Sequence, residues 1–294
     1  MVAEAEPVAL RATGTVARRQ ALSRASRYVL LAASLVGVAV LAFLIYDTID
    51  LGASRLSWDF LTNYPSRFAE RAGLRSSILG SVWVMGATVL FAFPVAIGTA
   101  VWIEEFAPRN WLLTLVKLNL ANLAGVPSII YGILGLAIFV RYFDLGPSII
   151  AGALTLSLMI IPMTVIAAQE AIRQVPSSIR DGSLALGATR WQTTWNHVLP
   201  AALPGIMTGV ILAVSRAAGE TAALIMIGAF TFIAYDNTSL FDDFTTVPIQ
   251  IYQWTIRPQE EFRQNAAAAI IVLMVAVFTM NLVAAIIRER FRRE

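Results

Sequence analysis

Two charged residues lie in an otherwise apolar stretch of the sequence, residues 203–233. Arg216 and Glu220 are four residues apart, a spacing that predicts one shared face if the stretch is helical. A charge at the centre of a membrane span costs about 2.5–3.5 kcal/mol, so it normally faces a cavity or a partner group. Two interpretations stay open. The residues could line an aqueous route for an anion, which a guanidinium group holds with two hydrogen bonds, or form a structural ion pair.

A second set of polar residues lies in the apolar stretch 120–140. Asn122, Ser128 and Tyr131 supply the side chains, while a nearby glycine and proline indicate a bend that exposes backbone groups. These residues are candidates for the wall of the same route. The alternative is close helix packing through small residues, which is common in membranes.

Several kinds of catalytic chemistry are excluded by residue type. The chain has no cysteine and one histidine, His197, so it cannot build a catalytic zinc site from His and Cys ligands. Its one lysine, Lys117, follows no glycine-rich loop, so the nucleotide-binding P-loop is missing. We predict that the chain is not an enzyme and binds no cofactor of its own.

The composition predicts an all-α integral membrane protein. Hydrophobic residues make up 57% of the 294-residue chain and charged residues 14%, whereas soluble domains average about 45–50% and about 25%. The apolar stretches of this sequence are long enough to cross a membrane, where a segment must be helical to satisfy its backbone hydrogen bonds. About six transmembrane helices are predicted, at residues 28–46, 77–103, 120–140, 147–168, 203–233 and 266–287.

The basic residues near the ends of these stretches predict the orientation. With the N-terminus in the cytoplasm, fourteen Lys and Arg residues fall on the cytoplasmic side and seven on the outer side. Both termini are therefore predicted to be cytoplasmic. The predicted organisation is a tail at 1–27, a first transmembrane helix at 28–46, an outer loop at 47–74, a membrane domain at 75–287 and a basic tail at 288–294. The small net charge of +3, with scattered arginines, argues against nucleic-acid binding.

The polar segment 170–200 lies on the cytoplasmic side in this topology. Capping boxes are predicted for two short helices, at Ser178 with Asp181 and at Thr189 with Gln192. Gly187 lies between them, where a left-handed C-cap is expected.

The second short helix is predicted to end at Pro200. Trp191, Trp195 and Val198 are spaced to share one face of it. That face could rest among lipid headgroups or insert into a partner protein.

The segment resembles the EAA loop of ABC-importer permeases, in which Glu-Ala-Ala, a glycine and Leu-Pro recur at fixed spacing. Asp181-Gly182-Ser183, Gly187 and Leu199-Pro200 stand at those positions, although Asp181 replaces Glu, Gly182-Ser183 replaces Ala-Ala and His197 replaces Ile. In that family the loop is a coupling helix that docks in a groove of the ATPase subunit. The resemblance implies this role for these residues, together with Trp191 and Trp195.

The resemblance extends over about residues 75–287 and is closest to the PstA type of phosphate permease. The matching stretches are 104–111, 122–132, 215–222 and 248–254. It implies the type I importer fold in a bacterial inner membrane. It also implies a PstC-type second permease, two PstB-type ATPase subunits that use ATP and Mg, a PstS-type binding protein, and phosphate as substrate. A related permease for another oxyanion or small solute is the alternative, and a membrane enzyme or autonomous channel is a third possibility.

Overall fold

A computed structural model describes residues 15–229 and 231–293. These residues are predominantly helical, and the β-pairing among them is one isolated antiparallel bridge between Ser148 and Asp243. The predicted all-α membrane fold is confirmed.

Helix α1 runs from Thr15 to Gly52, and its residues as far as Asp50 belong to a separate unit from the rest of the chain. The helix begins well before the predicted span at 28–46. Residues 15–27, which we predicted as part of the tail, are therefore helical, and residues 1–14 lie outside the described residues.

The second unit begins at Leu51 and contains the remaining helices. Three of its helices are extended at one end by π-helical turns, at Trp102–Phe106, Leu136–Tyr142 and Thr194–Val198. The helices are α2 (Trp58–Thr62), α3 (Arg75–Val101), α4 (Trp111–Ala124), α5 (Ser128–Gly135), α6 (Ile149–Arg173), α7 (Ser177–Ala185), α8 (Arg190–Thr193), α9 (Leu199–Ala218), α10 (Ala222–Met226), α11 (Val247–Thr255) and α12 (Glu260–Arg293).

Five helical stretches in the described part of the chain are long and apolar enough to cross a membrane. A sixth span is obtained if the bent pair α4–α5 is counted as one crossing. The five stretches are Arg18–Arg55, Arg75–Phe106, Ile149–Arg173, Arg190–Ala218 and Glu260–Arg290.

The third predicted span, residues 120–140, is not one continuous helix. Helices α4 and α5 meet at an angle of 100°. The predicted bend at Gly125 and Pro127 is thus confirmed, and it is sharp because proline lacks a backbone donor and disfavours helix at the residue before it. The Tyr131 hydroxyl donates to the Leu123 carbonyl at 2.8 Å, so one hydrogen bond bridges the break.

The fifth predicted span, residues 203–233, has the wrong bounds. The helix begins earlier, at Arg190, and ends at Ala218. Pro200 does not end it, because this proline lies in the first turn of α9, directly after the π-helical turn, where a missing N–H is tolerated.

Helices α3, α6 and α9 form the core of the second unit. Small residues at their contacts allow the backbones to approach closely, as is usual between membrane helices. Fully or almost fully buried examples are Ala96, Ala100, Ala168, Ala202 and Ala213. We call the end where α3 reaches Phe106 and α6 reaches Arg173 the coupling end, and the end where both helices begin the opposite end.

We predict that the coupling end faces the cytoplasm. The cysteine-free chain allows single cysteines at exposed positions, namely Ser54→Cys and Thr238→Cys towards the opposite end and Ser178→Cys in α7. In sealed cells an impermeant thiol reagent should label the first two variants and leave the third unlabelled until the membrane is opened. Labelling of Ser178→Cys from outside would refute this orientation.

Candidate coupling surface and transport pathway

The segment between α6 and α9 has the predicted helix–glycine–helix form. Gly187 has φ +85°, so the left-handed corner is confirmed. The Thr189 capping box is also confirmed, since the Gln192 side chain accepts from the Thr189 N–H at 2.9 Å and Thr189 Oγ1 accepts from the Gln192 N–H at 3.3 Å. The box at Ser178 is wrong, because α7 begins directly after Pro176 and has no side-chain cap.

The corner between α7 and α8 presents apolar side chains to its surroundings. Leu186 is 91% exposed and Leu184 is 44% exposed, and Asp181 and Gly182 are also exposed on α7. Ser183 is instead buried and shares a 2.9 Å hydrogen bond with the Thr193 hydroxyl. Ser183 therefore joins the two short helices to each other rather than contributing to the exposed surface.

Sequence reasoning missed the two leucines. The sequence signal was that Leu184 and Leu186 are apolar residues in a polar segment and lie directly before Gly187.

Trp191 and Trp195 stack with ring centroids 5.9 Å apart, and Phe106 lies 6.0 Å from Trp191. Both tryptophans are about 60% exposed and line an apolar groove with α3. Val198 does not share their face, because the π-helical turn shifts the register and buries it in the core. Other groove residues are Leu90, Pro94, Val101, Trp102 and Leu199.

The end of α3 carries a carboxylate that holds the coupling segment. Glu105 accepts hydrogen bonds from Arg180 of α7, at 3.1 Å from Nε and 2.8 Å from Nη2. Arg180 also donates to the backbone carbonyls of Val175 and Ile172, at 2.7 and 2.9 Å. Arg190 of α8 donates to the Glu105 carbonyl at 2.5 Å. Both short helices are therefore attached to the end of α3.

The neighbouring carboxylate joins three membrane helices. Glu104 accepts from Lys117 of α4 and from Arg173 of α6, both at 2.9 Å, and its side chain is only 14% exposed. We call Glu104 and Glu105, with these partners, the carboxylate anchor. Hydrogen bonds to charged groups contribute about 1.5–3 kcal/mol each, so the anchor is a specific tie rather than an incidental surface contact.

The anchor was not predicted from the sequence. The signal present was the pair Glu104-Glu105 at the end of an apolar stretch, followed by arginines in the polar segment.

The predicted relation between Arg216 and Glu220 is wrong. Arg216 lies in the last turn of α9, and the chain leaves the helix before Glu220, so the residues do not share a helix face. The two side chains form no ion pair within the described residues, which contradicts the structural ion-pair interpretation. The Glu220 side chain instead accepts from the Ala223 N–H at 3.2 Å, in the first turn of α10.

Arg216 is exposed and keeps its charge free of any carboxylate partner among the described residues. Its Nη1 donates to the Met163 sulfur of α6 at 3.7 Å. It also lies close enough to Tyr131 for its charge to act on the phenol. No side-chain hydrogen bond joins any two of the five predicted pathway residues in the described structure.

The other polar residues of the bend have mixed surroundings. Asn122 is exposed and Ser128 is partly buried, and neither side chain hydrogen-bonds Arg216 in the described structure. Gly132 packs so closely on α10 that an added Cβ would lie 2.7 Å from the Ala223 carbonyl oxygen. Tyr131 and Gly132 thus have packing roles at the bend.

The segment after α10 covers the opposite end of the bundle. Asp236 accepts from Arg75, at 2.8 Å from Nε and 2.6 Å from Nη2, and this guanidinium lowers the pKa of the Asp236 carboxyl below its usual range. Ile149 and Ile150, at the start of α6, donate to carbonyls of the same segment at 3.1 and 2.8 Å. The start of α3 and the start of α6 are therefore joined by one polar segment.

Comparisons with known proteins identify the family of this chain. Residues 92–293 match the family described as binding-protein-dependent transport system inner membrane component, so the chain belongs to that family. It is 32% identical over 264 residues to the probable ABC transporter permease protein YqgI of Bacillus subtilis, covering 85% of this chain and 90% of that one.

The chain is also similar to phosphate transport permeases. The protein PstA 1 of Mycobacterium tuberculosis strain H37Rv is 30% identical over 76% of this chain and 71% of its own length. PstA of Yersinia pestis is 27% identical over 92% of this chain and 90% of its own length. The predicted resemblance to PstA-type permeases is confirmed.

Solved structures show the same fold. A bacterial ABC transporter for import of alginate matches with a TM-score of 0.63, at 18% identity, over 92% of this chain and 99% of the matched chain. The methionine transporter MetNI in an inward-facing conformation matches with a TM-score of 0.59, at 18% identity, over 73% of this chain and 94% of the matched chain. The chain is thus a multi-pass permease subunit of an ABC importer with the type I fold.

We predict that the Glu105–Arg180 contact is needed to couple ATP hydrolysis to transport. Arg180→Gln and Glu105→Gln should lower transport-linked ATP hydrolysis in the assembled importer at least tenfold, because either change frees α7 from the end of α3. Purification of the complex and its ATPase rate, with and without loaded binding protein, provide the measurement.

A matched control is Arg109→Gln, which removes an exposed arginine near the same helix end that has no ion-pair partner in the described structure. It should leave coupling intact. The double exchange Glu105→Arg with Arg180→Glu should recover part of the activity. Wild-type rates of transport-linked ATP hydrolysis in both single variants would show that the contact is not needed for coupling.

Proposed function

We propose that the chain is the PstA-type permease of an ATP-driven importer for inorganic phosphate. The observation that carries this proposal is the similarity to several phosphate permeases of the PstA type, at 27–30% identity over most of the chain. An unpaired guanidinium at the end of α9 supports an anionic substrate, since arginine binds phosphate oxygens in pairs.

The proposed assembly contains a PstC-type second permease, two PstB-type ATPase subunits and a PstS-type binding protein. This chain supplies no nucleotide site, and ATP and Mg are used by the ATPase. The coupling end faces the cytoplasm, with both termini on that side. Asp181, Gly182 and the corner at Gly187 contact the ATPase, and Leu186 inserts its apolar side chain into the ATPase surface.

The two tryptophans have a different proposed role from the corner. Trp191 and Trp195 are oriented towards an apolar groove lined by α3. Indole rings are favoured at membrane interfaces because they combine an apolar body with one polar N–H. We place them at the lipid headgroups, where they hold the start of the α8–α9 helix at a fixed depth.

Coupling then follows from the carboxylate anchor. Movement of the ATPase displaces the corner, and Glu105 transmits that displacement to α3 because α7 and α8 are both bonded to it. Glu104 carries the displacement to α4 and α6. The bend between α4 and α5 and the break after α9 lie beside the moved helices, so their contacts change as the pathway opens.

Arg216 is proposed to contact phosphate during passage. Glu220 is engaged by the first turn of α10, so it shapes the local backbone and does not cancel the arginine charge. Passage requires binding that is favourable yet weak, and a single partly hydrated guanidinium meets that requirement better than a closed cage. Tyr131, Asn122 and Ser128 are proposed to border the same route.

A permease for another oxyanion or small solute is the second candidate. It is favoured by the similarity to the B. subtilis protein YqgI, whose name specifies no substrate.

The decisive experiment measures ATP hydrolysis by the complex in liposomes, with the binding protein loaded in turn with phosphate, sulfate or molybdate. Phosphate should stimulate hydrolysis, and the other two should not. Arg216→Gln should abolish phosphate uptake while the complex still assembles, because the amide cannot replace the guanidinium charge.

Arg141→Gln is the control, since it removes another exposed arginine that forms no ion pair with the described residues. Its uptake should match the wild type. If only sulfate or molybdate stimulated ATP hydrolysis, that anion and not phosphate would be the substrate. Normal uptake by Arg216→Gln would remove this arginine from the pathway.

A further inference from the structure

Three arginines line one pocket at the opposite end of the bundle, far along α3 from the carboxylate anchor. Arg67 and Arg71 precede α3, and Arg257 precedes α12. The remaining walls are Pro65, Ser66, Phe68 and Phe232. Neither the coupling role nor the proposed pathway uses this pocket.

The charges of these arginines are not neutralised within the described structure. Arg75, Arg173 and Arg180 each hold a carboxylate within 3 Å, whereas the three pocket arginines form no ion pair among the described residues. Glu70 and Glu261 line an adjoining hollow together with Arg67 and Arg71, but no carboxylate oxygen of theirs approaches a guanidinium nitrogen within 4 Å. The pocket itself has no acidic side chain in its wall.

Aromatic rings hold two of the guanidinium groups in place. The Arg67 guanidinium carbon lies 4.8 Å from the Phe68 ring centroid, and that of Arg257 lies 4.3 Å from the Phe262 centroid. A guanidinium group lying over a ring is stabilised by the π electrons while its N–H edge stays available for hydrogen bonding. Such an arrangement lowers the ordering cost of binding an anion.

We propose that this pocket binds a phosphate group. Three guanidinium groups supply both the charge and the paired donors that tetrahedral phosphate oxygens require. The group could belong to free inorganic phosphate, captured outside the membrane before it enters the permease, or to the headgroup of an anionic lipid. The inference deepens the proposed function, on which the free-phosphate source rests.

The test uses the complex of the permeases and the ATPase, purified without the binding protein, and a variant of it in which Arg67, Arg71 and Arg257 are all changed to Gln. Both carry Arg216→Gln, so the proposed pathway contact does not contribute. Radiolabelled inorganic phosphate binding is measured by equilibrium dialysis, and retained phosphatidylglycerol is counted by native mass spectrometry. The control changes Arg109, Arg141 and Arg263 to Gln and so removes the same charge; these three arginines are exposed and form no ion pair in the described part of the chain.

A free-phosphate site predicts that the pocket variant raises the Kd for phosphate at least tenfold with lipid retention unchanged. A headgroup site predicts loss of bound phosphatidylglycerol with phosphate binding unchanged. Wild-type values of both quantities, or equal losses in the control, would overturn the proposal. If the triple variant does not assemble, Arg71→Gln and Arg257→Gln are measured singly against Arg141→Gln by the same criteria.

This outcome is separable from that of the proposed function. If sulfate rather than phosphate stimulates ATP hydrolysis, the phosphate importer is refuted, yet the dialysis and lipid counts still decide whether the pocket binds a phosphate group.

Discussion

The structure of the second unit depends on how two partly buried carboxylates at the end of α3 are satisfied. A carboxylate removed from water needs charged or hydrogen-bonding partners, and here they come from α4, α6 and α7, while α8 is bonded to the backbone carbonyl of Glu105. Glu104 draws α4 and α6 together, and Glu105 holds α7 and α8. Because α8 also continues through the π-helical turn into α9, this end links the short helices to α3 and to α9.

The opposite end is organised by a different rule. Between the two ends the chain leaves helical geometry twice, at the bend between α4 and α5 and after α9, and at the opposite end an irregular segment crosses the starts of α3 and α6. Non-helical backbone at membrane depth is tolerated only where protein covers it or water fills a cavity. The exposed Arg216 and the polar groups of the bend lie beside these breaks, which suits a route that must open and close.

Much of this architecture could be predicted from the sequence because its causes are local. Apolar length predicts the spans, Gly125 and Pro127 predict the bend, and the Thr189 capping box with Gly187 predicts the corner. The resemblance to the EAA loop and to PstA-type permeases led to the correct family, which composition alone does not identify.

The remaining features depend on distant contacts or on changes of helical register, so local patterns do not show them. The Glu105–Arg180 pair joins residues 75 positions apart, and the exposure of Leu186 depends on where α7 ends. The π-helical turn at Thr194–Val198 carries the helix past Pro200 and buries Val198, against the periodicity. The break after Ala218 separates Arg216 from Glu220, although the i,i+4 spacing predicts one face.

We propose that the coupling segment and the end of α3 move as one body. Spin labels on Ser178→Cys and Arg109→Cys, in the cysteine-free chain, report the distance between α7 and the loop that follows α3. Double electron–electron resonance on the assembled importer, without nucleotide and with ATP trapped, gives that distance in two states. Movement as one body predicts the same distance distribution in both states, while a label pair from α7 to the end of α12 shifts. A change in the first pair equal to that in the second would contradict it.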